Sequence, residues 1–172
     1  MYAIGERVMY GTLGVVEIVD VVEQLGGDEM KKYYVLKEYA SPNSSLTYLP
    51  LDNEQLLANL KPLLTREEIE AAIKAAKNSP PLEWIEDNRV RADYYKKVLA
   101  SLDRTKMLVL IDTVIETGKK REKQGKKNFI ADENSMRKAE KLLTTEFALV
   151  LGIPESEVHA FIKKCRRQKR EG

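Results

Sequence analysis

The feature that most restricts what this chain can fold into is a change of hydrophobic period near residue 63. Before it, apolar residues alternate with polar ones or cluster in β-branched runs, the pattern of strands. After it they recur every three or four positions, the pattern of helices packed on one face. Strands first and helices second, with no interleaving, predict an α+β protein of two domains.

In the first part, Gly5-Glu6-Arg7-Val8-Met9-Tyr10 alternates and runs into Gly11-Thr12-Leu13-Gly14, a short strand and a turn. Residues 15–24 are rich in β-branched side chains and predict a long, curled strand. Leu25-Gly26-Gly27-Asp28-Glu29 is a hairpin loop. Residues 30–39 form the returning strand, with Tyr33, Val35 and Tyr39 expected on one face. Ser41-Pro42-Asn43-Ser44-Ser45 is a further turn, and Leu46-Thr47-Tyr48-Leu49 a short strand stopped by Pro50. Several short strands and tight turns in about sixty residues predict a small curled barrel.

The second part opens on Thr65-Arg66-Glu67-Glu68, a capping box followed by Ile69, Ala72, Ile73 and Ala76 on one helical face. Asn78-Ser79-Pro80-Pro81 ends that helix and forms a stiff spacer. Tyr94, Tyr95, Val98, Leu99 and Leu102 are the stripe of the next helix. Asp103 caps a third, with Leu108, Ile111 and Ile115 inward, and Gly118 opens a basic run to Lys127, either a solvated loop or a helix end. A fourth helix carries Met136, Ala139, Leu143, Phe147 and Val150 and closes at Gly152. Pro154 opens a fifth, with Val158, Phe161 and Ile162, before a basic tail ending Lys169-Arg170.

Net charge is only +2, but its distribution is uneven. Residues 1–60 hold four basic and nine acidic groups, a net −5, whereas residues 81–172 hold 21 basic and 15 acidic groups, a net +6. The basic part can track phosphates, and the acidic part is better suited to a protein partner. Between them lies the stretch Pro80-Pro81-Leu82-Glu83-Trp84-Ile85-Glu86-Asp87-Asn88-Arg89-Val90-Arg91, with the sole tryptophan beside arginines. Such an indole either anchors the helical core or serves as a wedge at a DNA groove.

Catalysis finds little footing. His159 is the single histidine and Cys165 the single cysteine, too few for zinc or for a nucleophile–base pair, although the basic neighbours of Cys165 would lower its pKa. Gly11-Thr12-Leu13-Gly14 lacks the lysine of a phosphate loop. Glu67, Glu68 and Glu70 form a solvated helix face. No cofactor, metal or small-molecule substrate is expected. No apolar run is long enough for a membrane span, the first residues lack secretory character, and a reducing cytoplasm is the expected compartment.

Three ordered stretches resemble the CarD/CdnL-type bacterial transcription regulators. The first is Gly5-Glu6-Arg7-Val8-Met9-Tyr10 with Gly14-Val15-Val16-Glu17-Ile18, Lys32-Tyr33-Tyr34-Val35-Leu36-Lys37 and Leu49-Pro50. It is similar to the RNA polymerase-interacting domain shared with transcription-repair coupling factors. The second is Trp84 with Arg89, Arg91, Tyr94 and Tyr95, followed by Leu99-Ala100-Ser101-Leu102-Asp103. The third is Met136-Arg137-Lys138-Ala139-Glu140-Lys141-Leu142-Leu143 with Glu146-Phe147-Ala148-Leu149.

The resemblance implies a Tudor/SH3-like β-barrel over residues 1–62, a helix and proline-rich connection over 63–81, and an all-α bundle of about five helices over 82–172. The barrel would dock on the lobe of the polymerase β subunit by strand addition, with Gln24, Leu46, Thr47 and Tyr48 at the contact. The helices would bind promoter DNA at the upstream edge of the bubble, with weak sequence preference, in the nucleoid. There Trp84 would wedge into the minor groove, flanked by Arg89 and Arg91. Lys96, Lys97, Lys119, Lys120, Arg121, Lys126 and Lys127 would meet phosphates. Ala131-Asp132-Glu133 stands where the family often has Gly-Glu-Lys, so a DNA-contacting lysine is lost there, for which the 119–127 run compensates. The implied protein stabilises the open promoter complex and is not an enzyme. Two alternatives stay open: an adaptor that binds only protein, and a helix-turn-helix regulator built on residues 146–164, disfavoured by Glu155 and Glu157 at its would-be recognition helix.

Overall fold

The computed structural model describes residues 1–41 and 43–168. Pro42 of the predicted turn and the Lys169-Arg170 end of the basic tail lie outside the described residues. The chain divides into two compact units, Met1–Leu63 and a second from Leu64 onward.

The first unit is a five-stranded antiparallel sheet of β1 (Arg7–Tyr10), β2 (Gly14–Gly26), β3 (Glu29–Glu38), β4 (Thr47–Pro50) and β5 (Leu60–Pro62), in the order β4-β3-β2-β1-β5. Among the described residues β4 and β5 do not pair, so the sheet is open. β2 and β3 form its long hairpin, turning at Gly27-Asp28 between the paired Gly26 and Glu29. Between Ile18, opposite Leu36, and Asp20, opposite Val35, β2 carries one extra residue, Val19. Such a bulge bends the strand and increases its twist. The bend lets Val8, Val16, Ile18, Tyr34, Leu36, Leu49 and Leu60, which come from all five strands, meet in one cluster.

The inward face of β3 is Tyr34 and Leu36, and Tyr33 and Val35, expected together on one face, share the other. Val35 is buried outside this cluster, and Tyr39 is exposed. The Tyr34 hydroxyl accepts from Tyr2 N at 3.0 Å and donates to Tyr2 O at 3.2 Å, which fastens the N-terminal segment to the hairpin. Residues 50–62 hold two elements that the hydrophobic pattern does not announce. One is α1 (Glu54–Leu57), capped by the Asn53 side chain. The other is β5, whose Leu60 pairs with Tyr10 on β1.

The helical unit comprises α2 (Arg66–Lys77), α3 (Asn88–Ala100), α4 (Arg104–Lys123), α5 (Ile130–Leu151) and α6 (Val158–Arg167). Both arms of the Thr65 capping box are present at 3.1 Å. Ile69, Ala72, Ile73 and Ala76 are all buried. They pack into the common helical core, so α2 is part of the bundle and not of a connection between domains. Asp103 caps α4, as its place before an apolar run requires, and Asp87 caps α3 in the same way. Gly152 ends α5 in the left-handed region, φ 66° and ψ 35°, where a side chain would be strained.

α4 departs from expectation in two respects. It packs against both α2 and α5, so Met107, Leu108, Leu110 and Val114 are buried while Ile115, expected inside, is 40% exposed. It also continues through Gly118. A Cβ at that position would lie 2.4 Å from the Asn128 side chain, so the glycine permits close approach and does not break the helix.

A buried ion pair fixes the start of α4. Arg104 donates from Nε and Nη2 to the two Glu146 oxygens at 2.9 and 2.8 Å, and from Nη1 to Leu102 O at 2.8 Å. Leu102 has φ 55°, the single non-glycine positive φ among the described residues. Glu146 also accepts from Leu64 N at 3.1 Å. Replacing such a pair by apolar groups is often neutral, but removing one partner strands a buried charge. Glu146→Ala is expected to destabilise the protein by about 3–5 kcal/mol, read as a lower urea midpoint.

Candidate nucleic-acid interface

Trp84 lies in the extended segment before α3, which is pinned at one end by Leu82 N donating to Thr113 Oγ1 at 3.0 Å. The other end is held by Arg91, from the first turn of α3. Helical side chains lean toward the N-terminus, so Arg91 reaches back beneath the loop that precedes its own helix. It donates from Nη1 to Ile85 O at 2.8 Å, from Nη2 to Asn88 Oδ1 at 2.8 Å, and from Nε to both Asp132 oxygens at 3.0 and 3.1 Å. Arg91 is 0% exposed and Asp132 3%. An arginine so enclosed cannot reach a phosphate, and the expectation that Arg91 contacts DNA is corrected: it binds the loop from below. Asp132 supplies its counter-charge.

The guanidinium also lies 4.3 Å from the Trp84 ring centroid and 4.5 Å from that of Phe129. The two rings are 6.0 Å apart and tilted by 34°. Arg121 sits 3.9 Å from the Phe129 centroid on its own account. Trp84 thus has one face covered by Arg91, yet 39% of the residue remains exposed, and its Nε1 donates to Glu86 Oε1 at 3.1 Å. The indole is presented at the surface on a cationic support. The alternative, that it anchors the first helix of the bundle in the core, does not hold.

The cluster gathers Trp84, Arg91 and Arg121 around Phe129, and Lys127 joins through its carbonyl, which accepts from Arg121 Nε at 2.8 Å. The basic run is not a loose loop. Lys119, Lys120 and Arg121 belong to the last turns of α4, and a tight turn follows, with Gly125 N donating to Glu122 O and Lys126 N to Arg121 O. Lys119, Lys126 and Lys127 are exposed, and Lys120 is shared with Glu116 at 3.7 Å. Arg89, Lys96 and Lys97 are exposed at i, i+7 and i+8 on α3, one face of that helix. No hydrogen bond, ion pair or ring contact among the described residues joins Lys96 or Lys97 to the Trp84 cluster.

Phe129, Asp132 and Glu86 were not foreseen as site residues. One signal was available: Arg91 sits at i−4 from Tyr95 and i−7 from Val98, on the stripe that is buried. A charge on a core stripe implies a buried partner.

In the sheet unit, β4 pairs with β3 alone and leaves its other edge open. Leu46 and Tyr48 are exposed there, each at 46%, and Thr47 is half-buried. Gln24 is exposed but lies elsewhere. It pairs with Lys31, five residues along β3 from the Leu36 that faces Thr47, roughly 17 Å at strand spacing.

His159 is exposed, whereas Cys165 is buried. Burial pushes the Cys165 thiol up from 9.0, with Glu70 adding to the effect, which reverses the lowered value expected from its basic neighbours. Among the described residues no group of His, Cys, Asp and Glu is placed to hold a metal ion, and no helix is long and apolar enough to cross a membrane. No protein-family model matches the chain, and no significant match is found among curated proteins.

Arg89 and Arg91, two residues apart, are expected to behave as opposites. Arg91→Ala removes the partner of a buried carboxylate and should cost about 3–5 kcal/mol of stability, whereas exposed Arg89→Ala should stay within about 0.5 kcal/mol. Chemical denaturation of both variants checks this. At alkaline pH the Tyr95 phenol, pushed up to about 12 chiefly by burial and secondarily by Asp132, should be neutral in the folded state. Its contribution is full below its ordinary value of 10.0 and is lost as pH rises toward 12. Cys165 acts in the same direction from 9.0 upward, so thermal stability should decline progressively above about pH 9.

Proposed function

We propose that the chain is a non-enzymatic transcription regulator that binds the RNA polymerase β subunit through its first unit and promoter DNA through its helical unit. On this reading the helical unit meets the upstream edge of the bubble and stabilises the open complex. The observation that carries it is Trp84, 39% exposed at the surface with a buried guanidinium over its ring. Stacking on such a ring is sequence-tolerant because every base has a π-face.

The covered face has a consequence for the substrate. An intercalating wedge needs both ring faces and must unstack a base step at a cost of a few kcal/mol. A ring with one face covered can at most cap the end of a stack. The edge of a bubble offers such an end, and closed duplex does not. The indole therefore favours melted over closed promoter, and differential affinity is what moves that equilibrium. A difference of about 1.4 kcal/mol changes the ratio tenfold. Arg89, Lys119, Lys126 and Lys127, all exposed, add phosphate contacts that carry no sequence information.

For the polymerase side, the support is the open edge of β4 and the acidic charge of its unit. An unpaired edge is a template for strand addition. Five antiparallel strands around one apolar cluster, the longest of them bulged, are also what a Tudor/SH3-like domain would supply. A factor acting in this way works in the cytoplasm on the nucleoid.

Trp84→Ala is expected to shorten the lifetime of open complexes on purified polymerase roughly tenfold, since base–aromatic stacking is worth about 1–3 kcal/mol. An unchanged lifetime would remove the indole from the mechanism. Absence of any fork-DNA affinity in the intact protein would favour the adaptor reading instead.

A further inference from the structure

We propose that Phe129 is a positioning residue that holds Trp84 and Arg121 on one support, the indole for a base and the guanidinium for a phosphate, so that the indole and the basic turn after α4 engage DNA as one unit. The inference rests on the nucleic-acid reading above and assigns roles that it does not contain.

Phe129 occupies the N-cap of α5 and makes no side-chain capping hydrogen bond. That position favours Ser, Thr, Asp or Asn, whose oxygens satisfy a free N–H. An aromatic ring gives up that bond, so another contact must hold it. Here the ring lies against two guanidinium groups and the indole at once. Two cations on one ring repel unless one is neutralised, and one is: Arg91 is paired with Asp132 inside the protein. Arg121 has no ion pair among the described residues, and its Nε is directed at the Lys127 carbonyl.

The cluster therefore has two dissimilar ends. At one end is a surface-exposed indole, suited to a base. At the other is an uncompensated cation held beside Lys126 and Lys127, suited to a phosphate. Packing of the Asn128 side chain on Gly118 holds the intervening turn to α4. A base and a phosphate of one strand can thus be met by groups whose separation is set by Phe129.

The test uses the full chain, a fluorescein-labelled fork of arbitrary sequence, and the intrinsic emission of Trp84, the one tryptophan present. Phe129→Leu should shift the emission of the free protein and weaken fork binding roughly three- to tenfold, the range of an aromatic–cation contact. Phe129→Tyr should restore both. Arg121→Gln should weaken fork binding similarly and Arg121→Lys should partly rescue it. Phe129→Leu combined with Trp84→Ala should bind no worse than Trp84→Ala alone, because Phe129 acts through the indole. Additive losses, or unchanged emission and affinity in Phe129→Leu, would overturn the assignment while leaving the nucleic-acid reading intact. If Trp84→Ala binds the fork like the parent protein, that reading fails and this one with it. An emission shift in free Phe129→Leu would then show the cluster to be packing alone.

Discussion

A guanidinium removed from water is the constraint on which the helical unit's surface depends. Desolvating Arg91 and Asp132 costs several kcal/mol per ion, and the attraction between them offsets this only with good geometry and satisfied remaining donors. Here the remaining donors face Ile85 O, in the stretch that leads into α3, and Asn88 Oδ1, on the first residue of that helix. The energetic demand of one buried charge thereby becomes an ordering force on a segment with no regular secondary structure of its own. Trp84 inherits that order. Without it, a surface indole on a proline-rich connection would sample many directions, and ordering it on a ligand would weaken binding.

The same solution appears twice in the unit. Arg104 and Glu146 form a second enclosed pair, again joining the first turn of one helix to α5. Asp132 and Glu146 are fourteen residues apart on α5, roughly 21 Å along its axis. One helix thus supplies the counter-charges for two helix beginnings. The first seats the loop that carries Trp84. The second holds Leu102 in its positive-φ conformation and anchors the Leu64 amide.

Periodicity and capping were legible in the sequence because both are local. The Thr65 box, the Asp103 cap, the buried face of α2 and the Gly152 terminator depend on residues within a few positions of one another. What was not legible depends on partners far along the chain. Ile115 is exposed because α4 packs on α2, α3 and α5 together, which a single stripe cannot reveal. Which face of β3 turns inward is not legible either, because it depends on the strands that pair beside it. α1 and β5 are too short for a periodic signal. Arg91 was read as a DNA contact because arginine beside tryptophan fits that chemistry, and its true partner is 41 residues away.

The open edge of β4 bears on how strand addition there, as proposed, would change over time. Pairing through main-chain groups is indifferent to the side chains beside them. Positions such as Tyr48 and Leu46, exposed and outside the apolar cluster, can be replaced without altering the spacing of amides and carbonyls that a neighbouring strand would read. A contact of this kind erodes slowly as the surface diverges, and substitutions that look disabling on paper can leave the grip intact.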